Sequence, residues 1–546
     1  MQVSASPREL LSAAALLAVL AAAVFGEQVA GGGFLSDDWS NAAKAAGGLH
    51  GWSGLASYRP GLALALGVPH ELFGPVPSRH LALGVGLAVA AALCFGALLR
   101  AVGVGRFATW TMAALVLLFP WADATRLWAT GAGNNLALVL ALLGGLAALR
   151  GLRSSSRRGA VAGHAGALLL YAGSVLTYEA VAPVLLGSAL LYRARAPWRR
   201  VLPRAGSDVV VGAGALLYVA VRTPRIVRAG AEWPGHAENL AGQALDLLLR
   251  AFVPFGAPHP WVVAAVLAVV LGTGAWAHRR RAQAAPGVRG DGPEAGRLGY
   301  LAGAGLFVVL TGYAAFVPAG DAYTPLASGL ANRVNVVAAP GYVLLVWTAT
   351  AGAAGLAARA RPRGRQVEPV LVGVACLVLG VGYAQLVRRD GADYRRAAAL
   401  QARVLGPLRA RATDLPAGAH LYAFGQPVYA APGVPVLRHW DGAGAAAVVL
   451  RDPNAAAVPL YPGTRLRCGA SGVQPSGPSL GVAQAAPYRA AFLLDVRQGR
   501  VSAVLDPASC RRARASVRPG PWLAATTLDT AAGDAPARGS TALLDP

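Results

Sequence analysis

The feature that most limits what this chain can fold into is a series of apolar runs, beginning at about Leu10 to Ala30 and separated by short arginine-rich stretches. An α-helix rises about 1.5 Å per residue, so roughly 20 apolar residues cross the ~30 Å hydrocarbon core of a bilayer. Further runs lie near Leu81 to Leu99, Phe107 to Trp121, Asn135 to Leu149, Ala160 to Thr177, Ala180 to Tyr192, Val209 to Val221, Trp261 to Ala277, Leu298 to Val317, Val336 to Ala358 and Pro369 to Leu386. They predict an all-α polytopic membrane protein with about 11 transmembrane helices. Only 14% of the 546 residues are charged and 55% are hydrophobic, which excludes an ordinary soluble enzyme. A mean hydropathy of +0.48 excludes a disordered chain.

The net charge of +24 suggests nucleic acid until the arginines are located. Arg100 and Arg106, Arg150 to Arg158, Arg193 to Arg204, Arg279 to Arg297, and Arg359 to Arg365 supply twenty arginines to alternate loops. Short basic loops are retained in the cytoplasm, so this charge is a topology signal and predicts an N-terminus inside. Partnership with nucleic acid loses its main support. The first span reads as an uncleaved anchor, because Arg8 is cancelled by Glu9 and no small-x-small site precedes Gly31. An odd number of spans leaves the chain after about Val387 outside. There the composition changes to Pro/Gly-punctuated alternating runs such as His420 to Phe424 and Ala446 to Leu450. The expected division is therefore a transmembrane domain over 1–386 and a small α/β extracytoplasmic domain over 387–546. Outside the membrane an oxidising compartment permits a Cys468–Cys510 disulfide, whereas Cys94 and Cys376 lie in apolar runs.

The unusual polar residues of the membrane half collect in the predicted outer loops. Asp37, Asp38 and Trp39 follow the first span, then Tyr58, Arg59 and Pro60; Asp123 and Arg126, Glu179, and the segment from Asp321 to Arg333 lie at later outer ends. Carboxylates gathered on one rim can take a proton from an attacking hydroxyl or stabilise charge at a sugar carbon. Arginines beside them suit a phosphate, because guanidinium offers a planar fork of donors. Trp39, Trp52, Tyr58, Trp121, Trp128 and Tyr323 could stack on sugar rings, although such residues also anchor helices at membrane interfaces. Ser36-Asp37-Asp38 is equally a good helix start, with Ser36 as N-cap and two acids in the first turn. The run from Ala160 to Tyr192 is too long for one straight span and short for two, so Glu179 is expected at a turn below the membrane surface. His50, His70, His80, His236 and His259 lack the i, i+4 spacing of a helical metal site. No metal or other cofactor is assigned; a divalent cation is compatible with the reading, but no ligand motif is present.

The acidic pair with tryptophan in Phe34-Leu35-Ser36-Asp37-Asp38-Trp39, a following Arg-Pro step, many spans and a C-terminal extracytoplasmic domain together resemble the GT-C superfamily of membrane glycosyltransferases. The similarity is to its bacterial O-antigen glucosyltransferase and protein mannosyltransferase branches. It implies a GT-C-like fold in the cytoplasmic membrane. It also implies transfer of a sugar from a polyprenyl-phosphate donor to a cell-envelope acceptor, a glycan, lipid or protein, with inversion at the sugar carbon. On this resemblance Asp37 or Asp38 is the catalytic carboxylate, while Tyr58, Arg59, Asp123, Arg126, Glu179 and Arg333 bind donor or acceptor. A transporter or flippase of a lipid-linked or anionic solute is the alternative of another class, since the same outer groups could form a binding site. A catalytically silent scaffold for envelope assembly is a third.

Overall fold

The structure is a computed structural model that describes residues 5–223, 233–255, 293–317, 323, 326–359, 364–477 and 485–517. In chain order the helices are α1 (Pro7–Gly31), α2 (Asp37–Ala46), α3 (Gly48–Ala56), α4 (Pro60–Phe73), α5 (Pro77–Ala101), α6 (Arg106–Leu118), α7 (Ala124–Leu127), α8 (Ala132–Arg153), α9 (Arg157–Thr177), α10 (Ser188–Arg193), α11 (Trp198–Arg222), α12 (Trp233–Phe252), α13 (Pro293–Ala314), α14 (Ala339–Arg359) and α15 (Gly364–Ala410). Among the described residues eight helices are long and apolar enough to cross a bilayer. They carry the predicted first, second, fourth, fifth, seventh, ninth, tenth and eleventh spans.

Three predicted spans differ or fall elsewhere. The run from Phe107 to Trp121 yields only the 13-residue α6, because Pro120 disfavours helical backbone at Phe119 and the chain continues as a 3-10 turn over Pro120–Ala122. The run from Ala180 to Tyr192 is a 3-10 segment, Glu179–Gly187, with Pro183 inside it, followed by the short α10. Trp261 to Ala277 lies outside the described residues.

Close packing in the bundle relies on small residues, as expected where the solvent is as apolar as the side chains. A Cβ on Gly163 of α9 would stand 2.7 Å from the Gly151 Cα of α8, so the backbones of this antiparallel pair touch. The two ends of the bundle differ in chemistry. At one end Glu9 accepts from Arg100 Nε (2.9 Å) and Trp110 Nε1 (3.0 Å), with Arg106 3.6 Å away. Arg195 Nε donates to the Ala101 carbonyl there at 2.8 Å, and Arg153 donates to the same oxygen. The described basic turns thus gather on one side of the bundle, as the alternating pattern requires. The opposite end is built of broken helices: α2 to α4, the 3-10 turns around α7, Glu179–Gly187, and a further 3-10 turn over Leu330–Val336.

The predicted boundary at 386/387 falls within α15, one unbroken helix of 47 residues that continues past the bundle. Beyond it come β1 (His420–Phe424), β2 (Tyr429–Ala431), β3 (Val434–Pro435), α16 (His439–Leu450), β4 (Ala456–Pro459), β5 (Arg465–Cys468), β6 (Gly472–Ser476), β7 (Ala486–Pro487), β8 (Ala491–Asp495), β9 (Arg500–Ala503) and α17 (Pro507–Ser516). The main sheet has the order β4-β1-β8-β9, with β1 parallel to both neighbours and β9 antiparallel to β8. The expected strand at His420–Phe424 is present. Ala446–Leu450 is instead the last turn of α16, whose start is fixed by Asp441 accepting from Arg438 N at 2.9 Å. Cys468 and Cys510 form a disulfide with Cα atoms 5.8 Å apart, tying α17 to β5. Cys94 and Cys376 are free.

A candidate active site at the broken-helix end

The turn before α2 organises the site. Ser36 has φ 51° and ψ −131°, a left-handed conformation that a residue with a Cβ adopts at a cost of about 1–3 kcal/mol. Its hydroxyl does not cap the helix. Asp38 instead ties the turn together: Oδ2 accepts from Leu35 N (3.0 Å), while Oδ1 accepts from Thr130 N (2.8 Å) and Thr130 Oγ1 (2.6 Å). Asn41 in turn donates to Thr130 Oγ1 at 3.0 Å. Asp38 is 1% exposed, and burial pushes its carboxyl up to about 7 against the pull of those donors. It therefore joins the α2 turn to the turn before α8. Asp37 is half-buried at the first position of α2, and its carboxylate accepts no hydrogen bond from the described residues. Of the pair, Asp37 is the one that reaches the surface, with the Lys44 ammonium bearing on it.

From this turn the chain of contacts leads to two arginines. Trp128 Nε1 donates to the Leu35 carbonyl at 2.8 Å, and the Arg333 guanidinium lies 5.4 Å from the Trp128 ring centre and 5.9 Å from that of Tyr323. Arg333 also donates to the Leu330 carbonyl at 3.0 Å. Arg59 pairs with Glu179 and lies 5.7 Å from the Tyr58 ring centre. Between these two arginines stands Tyr178. Its hydroxyl has no hydrogen-bond partner, and Arg333, Glu179, Tyr323 and Arg59 are the charged and phenolic groups that bear on it. Burial raises the Tyr178 phenol above its ordinary range, so it stays protonated as a donor. The structure thus brings Asp37, Tyr58, Arg59, Glu179 and Arg333 to one end of the bundle, with Trp128 and Tyr323 as aromatic walls.

Asp123 and Arg126 occupy the same end at greater depth. Asp123 is fully buried and accepts from Asn332 Nδ2 at 2.7 Å, while Asn332 Oδ1 takes the Ala124 amide at 2.9 Å. Arg126 donates to the Phe119 carbonyl at 2.5 Å and faces the Phe25 ring at 5.7 Å. Burial moves Asp123 up to about 6 and Arg126 down to about 10. These two hold the turn around α7 rather than face an opening. Sequence reading missed their neighbours: Asp390, which lies against Asp123, and Tyr394, fully buried with its hydroxyl unpartnered. Both sit on the part of α15 beyond the last predicted span, where the hydrophobicity pattern gives no sign of what they face.

Trp39, Trp52, Trp121 and Trp128 are all under 10% exposed, so they pack the site's walls. The His70 and His80 rings lie with centres 4.2 Å apart and planes tilted by 44°, and they bond to the carbonyls of Leu66 and Gly74 at 2.8 and 2.9 Å. Together with Thr130 they line a small cavity behind Asp38. Burial lowers His70 to about 4, so that ring is neutral. Asp321 and His259 lie outside the described residues. Among the described residues no group of three or more His, Cys, Asp or Glu side chains could hold a metal ion.

No protein-family model and no curated protein matches this chain. Among solved structures it is similar to ArnT from Cupriavidus metallidurans bound to undecaprenyl phosphate, at 15% identity and a TM-score of 0.41, over 80% of this chain and 84% of that one. The apo structure of the same protein aligns at 14% identity and a TM-score of 0.40 over the same shares.

Proposed function

We propose that this chain is a GT-C-like glycosyltransferase of the cytoplasmic membrane. In this reading it moves a sugar from a polyprenyl-phosphate-linked donor to a cell-envelope acceptor. The observation that carries it is the meeting, at one end of a polytopic bundle, of a half-buried carboxylate that accepts no hydrogen bond from the described residues with two arginines set among aromatic rings. The arginine-rich end faces the cytoplasm by the positive-inside rule, which leaves the site and the sheet domain outside.

In the proposed reaction Asp37 accepts the proton of the acceptor hydroxyl as its oxygen attacks the anomeric carbon. The new C–O bond forms as the C–O bond to phosphate breaks, and the electron pair leaves with the polyprenyl phosphate, inverting the carbon. Arg333 and Arg59 hold the phosphate, with Tyr178 donating to it, and Trp128 and Tyr323 flank the sugar. Glu179 keeps Arg59 aimed until the donor competes for it. A carboxylate with a pKa near 4 is a weak base for a sugar hydroxyl, so orientation and phosphate stabilisation supply most of the acceleration. Asp38, Asp123 and Arg126 hold the frame.

The test is radiolabelled sugar transfer from a mixed polyprenyl-phosphate-sugar pool in membranes carrying wild type, Asp37→Asn or Asp38→Asn. Transfer by wild type and its loss in Asp37→Asn support the reading. Donor that is carried across the bilayer with no transfer to any acceptor refutes it in favour of a transporter.

A further inference from the structure

Among the described residues the sheet domain packs along α15 and also meets the membrane half at two further places, each against one of the two parts of the site. The first is α16 against α2. A Cβ on Gly444 would stand 2.6 Å from the Trp39 carbonyl carbon and 2.7 Å from Ser40 N, so the helices meet backbone to backbone. Asp441, one turn earlier on α16, bears electrostatically on Asp37 and Asp38. Residue 441 opposite 37–38 and residue 444 opposite 39–40 mean that the two helices run in the same direction. Their N-termini, the ends where backbone N–H groups leave partial positive charge, thus converge beside Asp37. The opposite side of α16 lies on its own sheet, where a Cβ on Gly442 would stand 2.0 Å from the Ala457 carbonyl oxygen. Glycine on both faces makes α16 a thin spacer between sheet and α2.

The second point is the β2–β3 hairpin against the turn that carries Arg333. Leu330 N donates to the Gly433 carbonyl at 2.9 Å. Gly329 and Gly433 both have positive φ, 74° and 70°, and a Cβ on Gly433 would stand 3.0 Å from the Ser328 carbonyl oxygen. Side chains are excluded at both positions by conformation and by space.

We infer that the extracytoplasmic domain is a working part of the active site, a two-point clamp in which Gly444 positions the Asp37 helix and Gly433 positions the Arg333 turn. The inference rests on the glycosyltransferase reading for what is positioned, but not for the clamp itself. Neither glycine touches a substrate. Each acts through the backbone it allows to come close, so the two contacts govern different steps: Gly444 the attack, Gly433 the hold on the phosphate.

The experiment compares Gly444→Ala, Gly433→Ala and Gly406→Ala in the full chain in lipid nanodiscs, by amide hydrogen exchange and by steady-state transfer. Gly406 meets open space and serves as the control expected to match wild type. Gly444→Ala is expected to raise exchange across 37–46 and lower kcat at least tenfold, with donor KM within twofold of wild type. Gly433→Ala is expected to raise exchange across 329–336 and raise donor KM at least tenfold, with a smaller effect on kcat. The inference is overturned if exchange in these two segments is unchanged, or if the kinetic effects are exchanged or identical. It is overturned also if both variants lose protection throughout 420–510, since the glycines then serve only the sheet domain's own fold. Absence of transfer by wild type sinks the glycosyltransferase reading instead, and the exchange data alone then decide the clamp.

Discussion

Asp37 and Asp38 are adjacent in the chain and opposite in environment, so substituting them one at a time should separate stability from activity. Asp38→Ala removes the acceptor of three hydrogen bonds and leaves the Leu35 amide, the Thr130 amide and the Thr130 hydroxyl without it in a site 1% exposed. Each buried donor left unpaired costs about 1–3 kcal/mol, and the hydroxyl can turn elsewhere, so the two amides give an expected loss of about 2–6 kcal/mol. With an unfolding entropy of about 2 cal/mol/K per residue over 546 residues, that is a fall in Tm of about 2–5 °C, read by thermal unfolding in nanodiscs. Asp37 accepts no such bonds, so Asp37→Asn should melt within about 0.5 kcal/mol of wild type while losing 10²- to 10⁴-fold in kcat, the usual range for a general base. A pH series sharpens the test. Burial holds the folded Asp38 carboxyl at about 7, against 3.8 as its ordinary value, so between these values the folded state binds the extra proton. Stability contributed at this site therefore falls as pH rises from about 4 to about 7, by up to ~1.4 kcal/mol per pH unit. Asp38→Asn removes that part of the slope and Asp37→Asn does not. Wild-type melting with lost transfer in Asp38→Asn, together with full transfer in Asp37→Asn, refutes the assignment.

Ser36→Gly should stabilise the protein by about 1 kcal/mol, because glycine adopts the observed φ of 51° without strain; a lower Tm in the variant counts against a strained turn. Arg333→Ala should raise the donor KM by tenfold or more, the equivalent of about 1.5–3 kcal/mol for a hydrogen bond to a charged group, and Arg333→Lys should restore only part of it because the planar fork is lost. An unchanged KM for polyprenyl-phosphate-sugar removes Arg333 from the donor site. Reduction of Cys468–Cys510, separated by 42 residues, frees a loop whose closure is worth about 4 kcal/mol in the chain-entropy account, so a reductant should lower protection from proteolysis in 420–517 without affecting the bundle. Equal protease resistance with and without reductant contradicts this.

Much of the bundle was legible because a lipid solvent imposes one dominant rule, a long apolar run for each crossing helix. That rule loses force where helices stop short. Phe107–Trp121 and Ala180–Tyr192 have the hydrophobicity of spans, yet Pro120 and Pro183 end or loosen the helix within them. Apolar composition measures where a segment can reside; it does not register the backbone breaks that let it turn back. The same limit explains Ala446–Leu450, an alternation of small residues that fits a strand, but which α16 uses for contact with the sheet on one side and α2 on the other.

At the site, residue type was legible and role was not. Asp37, Arg59, Glu179 and Arg333 stand out in the sequence because charge is rare in so apolar a chain and is costly below the membrane surface unless paired or used. Nothing in the sequence distinguishes Asp37 from Asp38, since the difference lies in Thr130, which is 92 residues away in the chain and is brought to Asp38 by the packing of the turn before α8. Asp390 and Tyr394 were invisible for a related reason: they follow the last apolar run, and their surroundings are supplied by the turns around Asp123 and Arg333. A polar residue's partner is set by long-range packing. Composition therefore locates the end of the molecule at which chemistry can occur, and the hydrogen bonds made there subtract the residues already occupied. For the acidic pair, that subtraction leaves Asp37.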